Sequence, residues 1–157
     1  MKISHFTMTI LSGLVWMFVG LYLLPLGLVL LMNPFHTDNY QPLLELLAPY
    51  LGGIEQSAIA LTAIGLYVGF LKGRHVLGKA ARKGVERIRS MPNPADLKNI
   101  YSPRYYILLG GMILLGMSIK FFGMPSDIRG LVDVAIGSAL INGSLVYFRF
   151  ALLIRHA

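Results

Sequence analysis

The stretch whose reading decides the fold is Gly130–Arg149, GLVDVAIGSALINGSLVYFR. A helix of about 20 mostly apolar residues crosses the hydrocarbon core of a bilayer. This stretch has that length and character, yet it holds Asp133 near one end and Asn142 near its middle. Three further stretches are comparably apolar: Phe6–Met32, Gly53–Leu71 and Tyr105–Gly123. Extended to its natural limits, the quoted stretch covers Gly130–Ile154. None of the four alternates apolar with polar residues as barrel strands do. Helices satisfy their own backbone polar groups in lipid, so the expected fold is all-α.

Composition agrees. The chain has 157 residues, 55% hydrophobic and only 13% charged, whereas a soluble domain carries about a quarter charged residues. The length suggests one domain over residues 1–157. The absence of cysteine excludes disulfides, thiolate metal sites and thiol chemistry. The N-terminal MKISHFTMTI begins like a signal peptide. Its apolar run continues to Met32, past the roughly 7–15 residues of a signal core, and no A-x-A-like cleavage site follows. It reads as a retained first span.

The net charge of +7 could serve nucleic acid or an anionic membrane surface. Its placement favours the membrane. The connection 72–104 carries Lys72, Arg74, Lys79, Arg82, Lys83, Arg87, Arg89, Lys98 and Arg104. The positive-inside rule puts that loop in the cytoplasm. Four spans then return both termini, with Lys2, Arg149 and Arg155, to the same side. Of the 14 basic residues only Lys120 and Arg129 fall outside. The expectation is a bacterial-type inner-membrane protein with cytoplasmic termini and no nucleic-acid partner.

Two hairpins look related. FVGLYLLPLGLVLLMNP (Phe18–Pro34) aligns without gaps on LGGMILLGMSIKFFGMP (Leu109–Pro125). AIALTAIGLYVGFLK (Ala58–Lys72) likewise aligns on AIGSALINGSLVYFR (Ala135–Arg149). Chance within a small apolar alphabet is the alternative to duplication. The expectation is a four-span bundle built from two repeated hairpins, a plan some transporters use.

Small residues mark the contact faces. Gly13, Gly20 and Gly27 recur every seven residues on the first span, and Gly116 and Gly123 repeat that step on the third. Ala58, Thr62, Gly65 and Gly69 line the second, and Gly130, Gly137 and Ser144 line the fourth. Such residues let helices approach closely in lipid. They fit packing within the chain or between copies in a homo-oligomer.

The loops add two elements. After the second span, Leu77, Ala81, Val85 or Gly84, Ile88 and Met91 recur at helical spacing among basic residues. This predicts an amphipathic helix along the cytoplasmic surface, with Arg74, Lys79, Arg82, Lys83 and Arg89 reaching anionic lipid headgroups. Each such residue contributes about 1 kcal/mol near the surface. Tyr101, Tyr105 and Tyr106 would follow at headgroup depth. In the outer loop 33–52, Pro42 can start a short apolar helix that Pro49 would end. His36 and Asp38 are too few for a metal site, which needs three or four ligands.

Glu55, Gln56, Lys120 and Asp133 could gather as an outer vestibule, with Asn142 deeper on the path and Thr62 at similar depth on the second span. Ionisable groups in membrane spans carry a functional hypothesis unless they merely pair. The leading expectation is a transporter or channel-like protein for a small solute or ion, in which Glu55 or Asp133 binds a cation or proton. Alternatives are a non-catalytic scaffold or assembly subunit that binds membrane or cytoplasmic proteins, and a binder of anionic lipid. No enzyme, cofactor or metal signature is visible. Three of the four histidines, His5, His75 and His156, read only as markers of the cytoplasmic side.

Overall fold

A computed structural model describes residues 2–33, 41–92, 95–96 and 121–156, with the isolated positions 103, 107, 110, 111, 114 and 118. Among them three helices are long and apolar enough to cross a membrane: His5–Met32, Ile54–Ser90 and Ser126–Arg155. The expected span Tyr105–Gly123 lies mostly outside the described residues. So do Lys120, His36, Asp38, the interfacial tyrosines and half of the first repeat alignment.

Helix α1 spans His5–Met32 and runs unbroken through Pro25. Ser4 caps it by accepting a hydrogen bond from the Thr7 amide at 3.3 Å. Helix α2 is Pro42–Leu51. Helix α3 is Ile54–Lys72, a π-helical turn covers Gly73–Leu77, and helix α4 continues over Gly78–Ser90. Helix α5 spans Ser126–His156. A two-residue antiparallel pair joins β1 (Lys2–Ile3) to β2 (Ala95–Asp96).

Helix α5 is the centre of the fold. Its apolar window is 44% buried, against 22% for α1 and 28% for the α3–α4 rod. The glycine stripes explain why. A methyl group on Gly27 would lie 2.7 Å from the Gly130 carbonyl oxygen, and one on Gly20 would lie 2.8 Å from that of Gly137. Gly13 meets Tyr147 and Phe148. The numbers run in opposite directions, so α1 and α5 are antiparallel, backbone against backbone. On another side Gly65 meets Leu131 and Val134, Gly69 meets Ala135 and Ser138, and Gly73 meets Ala139 and Asn142. Here the numbers rise together, so α3 runs parallel to α5. Both stripes are therefore used within the chain.

Two apolar clusters close the ends. At one end Leu31, Leu44, Ala58, Leu61 and Val134 bring α2 against the other helices. At the other, basic end, Trp16, Ala81, Val85, Leu140 and Tyr147 pack together. The Trp16 and Tyr147 rings meet edge-on at 5.4 Å, a contact that adds about 0.5–1.5 kcal/mol beyond burial.

Three expectations need correction. The basic amphipathic helix does not lie as a separate element along the membrane surface. It continues α3 through the π turn, and its stripe of Ala81, Val85 and Ile88 is buried in the protein. Small side chains let α4 fit closely beside Tyr147, whose hydroxyl would sit 2.6 Å from a methyl group on Gly84. Second, Pro49 does not end α2. It removes one backbone donor near the C-terminus, and the helix stops instead at Gly52, whose φ of 93° supplies a left-handed cap. Third, Asn142 and Thr62 are not at similar depth. Asn142 lies beside Gly73, 11 residues beyond Thr62 on the α3 side.

Candidate functional site

The apolar stripe of α3 advances in steps of four: Leu61, Gly65, Gly69 and Gly73. The next buried position is Gly78, a step of five. In an α-helix that step would swing the stripe well around the axis. The π turn absorbs the extra residue, with the Gly78 amide donating to the Gly73 carbonyl. Spacing changes with it. A methyl group on Gly73 would lie 2.8 Å from the Ala139 carbonyl oxygen and from Asn142 Cβ. At Gly78 the nearest atom of α5 is Val146 Cγ2, at 3.9 Å. Their backbones touch at Gly73 and draw apart beyond it, where side chains make the contact: Leu77 Cβ would lie 3.2 Å from a methyl group on Gly143.

A groove of about 500 Å³ opens where they part. Arg74, His75, Lys79 and Arg82 line it from the π turn and α4, and Asn142, Val146 and Arg149 line it from α5. Helical spacing puts each set on one face: Arg74, Gly78 and Arg82 step by four, and Asn142, Val146 and Arg149 by four and three. Phe70 and Leu145 form an apolar lip. None of the described residues that line the groove is acidic. Its four permanent cations repel one another unless an anion enters. His75 Nδ1 lies 3.0 Å from the Leu71 carbonyl. A carbonyl only accepts, so Nδ1 carries the hydrogen and Nε2 remains for another partner. Asn142 Nδ2 donates to the Ser138 carbonyl at 2.8 Å.

Three of the expected headgroup residues, Arg74, Lys79 and Arg82, line this groove. Lys83 and Arg89 are exposed on α4 and are not part of its lining. His75 and Arg149 join it; the sequence alone marks both only as residues of the cytoplasmic side. A signal was present for Arg149, which lies seven residues after Asn142 and so shares its face.

The expected vestibule residues are spread along the bundle. Glu55 and Gln56 are exposed in the first turn of α3, at the end away from the basic cluster. Asp133 is half-buried on α5, with Oδ2 3.9 Å from Arg129 Nε. Among the described residues that oxygen has no hydrogen-bond partner. Asn142 lies nine residues further, about 13 Å along the helix, in the basic groove. The hydroxyls of Thr62, Ser138 and Ser144 each donate to a carbonyl three or four residues earlier in their own helix.

One polar contact had no signal in any single segment. Asp127, fully buried, accepts from the Leu43 amide at 2.6 Å and the Leu44 amide at 3.2 Å. Gln41 Nε2 donates to Ser126 Oγ beside it. The start of α2 has no side-chain cap of its own, and the first turn of α5 supplies one. A carboxylate is favoured there, where free amides and the helix dipole converge.

Compared with protein-family models, curated proteins and solved structures, the chain matches none.

Proposed function

We propose that this protein is a polytopic membrane protein that holds a phosphate-bearing anion at the cytoplasmic end of its helical bundle. The observation that carries this reading is the groove in which Arg74, Lys79, Arg82 and Arg149 converge with no carboxylate among the described residues of its lining. Arginine forks match phosphate oxygens in pairs, and lysine adds point charge. The positive-inside rule places this basic end in the cytoplasm. A ligand that binds only the folded state raises stability in proportion to the logarithm of its concentration. The test is thermal unfolding of the purified protein in mild neutral detergent, with phosphate-bearing lipids or inorganic pyrophosphate added at constant ionic strength. Stabilisation by at least one of these, lost in a combined Arg82→Gln and Arg149→Gln variant, is expected. If none stabilises the wild type, the reading fails.

A second reading is transport of an ion or small solute, and Asp133 favours it. A carboxylate within a membrane span that leaves one oxygen without a hydrogen bond among the described residues is the kind of group ion pathways use. Asp133→Asn separates the roles. If the charge serves structure, the variant loses stability; if it serves a pathway, the variant stays folded and loses ion flux in reconstituted vesicles.

A further inference from the structure

The groove's shape says more about its ligand than its charge does, and the following inference rests on the anion-binding reading above. We propose that the groove takes a membrane lipid bearing two separate phosphates, with its acyl chains leaving over Phe70 and Leu145.

Two observations point to a lipid rather than a soluble phosphate. The lip of the groove is apolar and open, with Phe70 46% and Leu145 47% exposed. It continues directly into the lipid-facing surface of α3, where Leu66 and Tyr67 are also exposed. A soluble anion has no use for such a lip, whereas acyl chains would cover it. The groove also lies where the apolar rod of α3 gives way to the basic α4, which is the depth of headgroups in a positive-inside protein. Basic pockets between membrane helices on that side suit anionic headgroups.

The number and placement of the cations point to two phosphates. Because α3 and α5 run parallel, Arg74 lies level with Asn142, and Arg82 lies level with Arg149. Lys79 stands between these two rungs. Arg74 and Arg82 are eight residues apart, about 12 Å along the rod. A single phosphodiester carries one negative charge and would leave most of the four cations unmatched. Two phosphates joined by a short polar linker can occupy both rungs at once. His75 Nε2 is a further hydrogen-bonding group at the upper rung.

The experiment uses the full chain in mild neutral detergent and reads its unfolding midpoint during titration with each of four probes. These are cardiolipin, phosphatidylglycerol, phosphatidylcholine and inorganic pyrophosphate, with cardiolipin and phosphatidylglycerol compared at equal phosphate. Cardiolipin is expected to bind at least tenfold more tightly than phosphatidylglycerol, with no stabilisation by pyrophosphate. Arg74→Gln and Arg149→Gln, on opposite rungs, should each weaken cardiolipin about tenfold, as loss of a charged hydrogen bond does. Lys83→Gln, exposed and outside the groove, should leave it unchanged. Equal affinity for phosphatidylglycerol and cardiolipin would overturn the two-phosphate assignment while leaving the anion site in place. Pyrophosphate binding as tightly as cardiolipin would overturn the lipid assignment and keep the anion site. An equal loss in Lys83→Gln would reduce the effect to surface attraction and overturn the site. Stabilisation by none of the probes would remove the anion-binding reading itself. The three arginine and lysine positions are exposed, so these variants test binding with the packed core intact.

Discussion

The central helix α5 meets its two neighbours in opposite ways. Against α1 it forms a seam of glycines, Gly27 with Gly130 and Gly20 with Gly137, in which backbones touch. Against the α3–α4 rod it begins with the same economy, at Gly65, Gly69 and Gly73, and then the backbones separate and larger side chains such as Tyr147 bridge to α4. The difference is one extra residue, taken up in the π turn. Tight packing along the first seam leaves no room for a ligand. The parting along the second makes room where the cations are concentrated. Close contact fixes the position of α5, and that fixed position is what gives the groove a defined wall.

Substitutions can break this comparison in graded steps. Gly20→Leu should do most harm, because a side chain would be driven into the Gly137 carbonyl and Ile141. A loss of about 3 kcal/mol, the upper end for overpacking, is expected, measured as the unfolding midpoint in detergent. Asp127→Ala comes next. It strips the acceptor from the Leu43 and Leu44 amides, and about 2 kcal/mol should follow from the stranded donors. Asp127→Asn keeps an acceptor and should lose less, a ranking that separates hydrogen bonding from packing. Gly73→Ala should cost about 1 kcal/mol, since its methyl group meets Ala139 and Asn142 where the helices still touch. Gly78→Ala, five residues on, has its nearest neighbours at 3.4 Å and beyond. It should be neutral or stabilising by a few tenths of a kcal/mol, because alanine is the better helix former. Equal costs at Gly73 and Gly78 would show that the helices do not part between them.

The sequence made much of the first seam legible and little of the second. The seven-residue glycine steps on α1 and the Gly130, Gly137 and Ser144 face on α5 are visible without coordinates. So is the buried stripe of Ala81, Val85 and Ile88. Periodicity shows which face of a helix is small, but it does not show which helix that face will meet or at what offset. The pairing of Gly73 with Asn142 depends on that offset, and so does the joining of Arg149 to Arg82. The π turn is hidden for a related reason: it satisfies a register imposed by α5, not a local preference of Gly73–Leu77. Asp127 caps a helix whose first amides lie 83 and 84 positions away, which no local pattern can report. The sequence suggests a vestibule because Glu55, Gln56 and Asp133 all lie near span ends. In the fold, Glu55 and Gln56 remain exposed at the start of α3, while Asp133 sits on the central helix.

The place of α5 in the chain has a consequence for how the protein is made. During synthesis α1 and α3 enter the membrane first, but each keeps its glycine face for a helix that begins only at Ser126. The contact between α1 and α3 themselves is slight beside what each makes with α5. The early helices therefore wait, side by side in lipid, until the last one arrives and draws them together. A chain cut short before residue 126 leaves the glycine faces of α1 and α3 bare and the first amides of α2 without the Asp127 carboxylate.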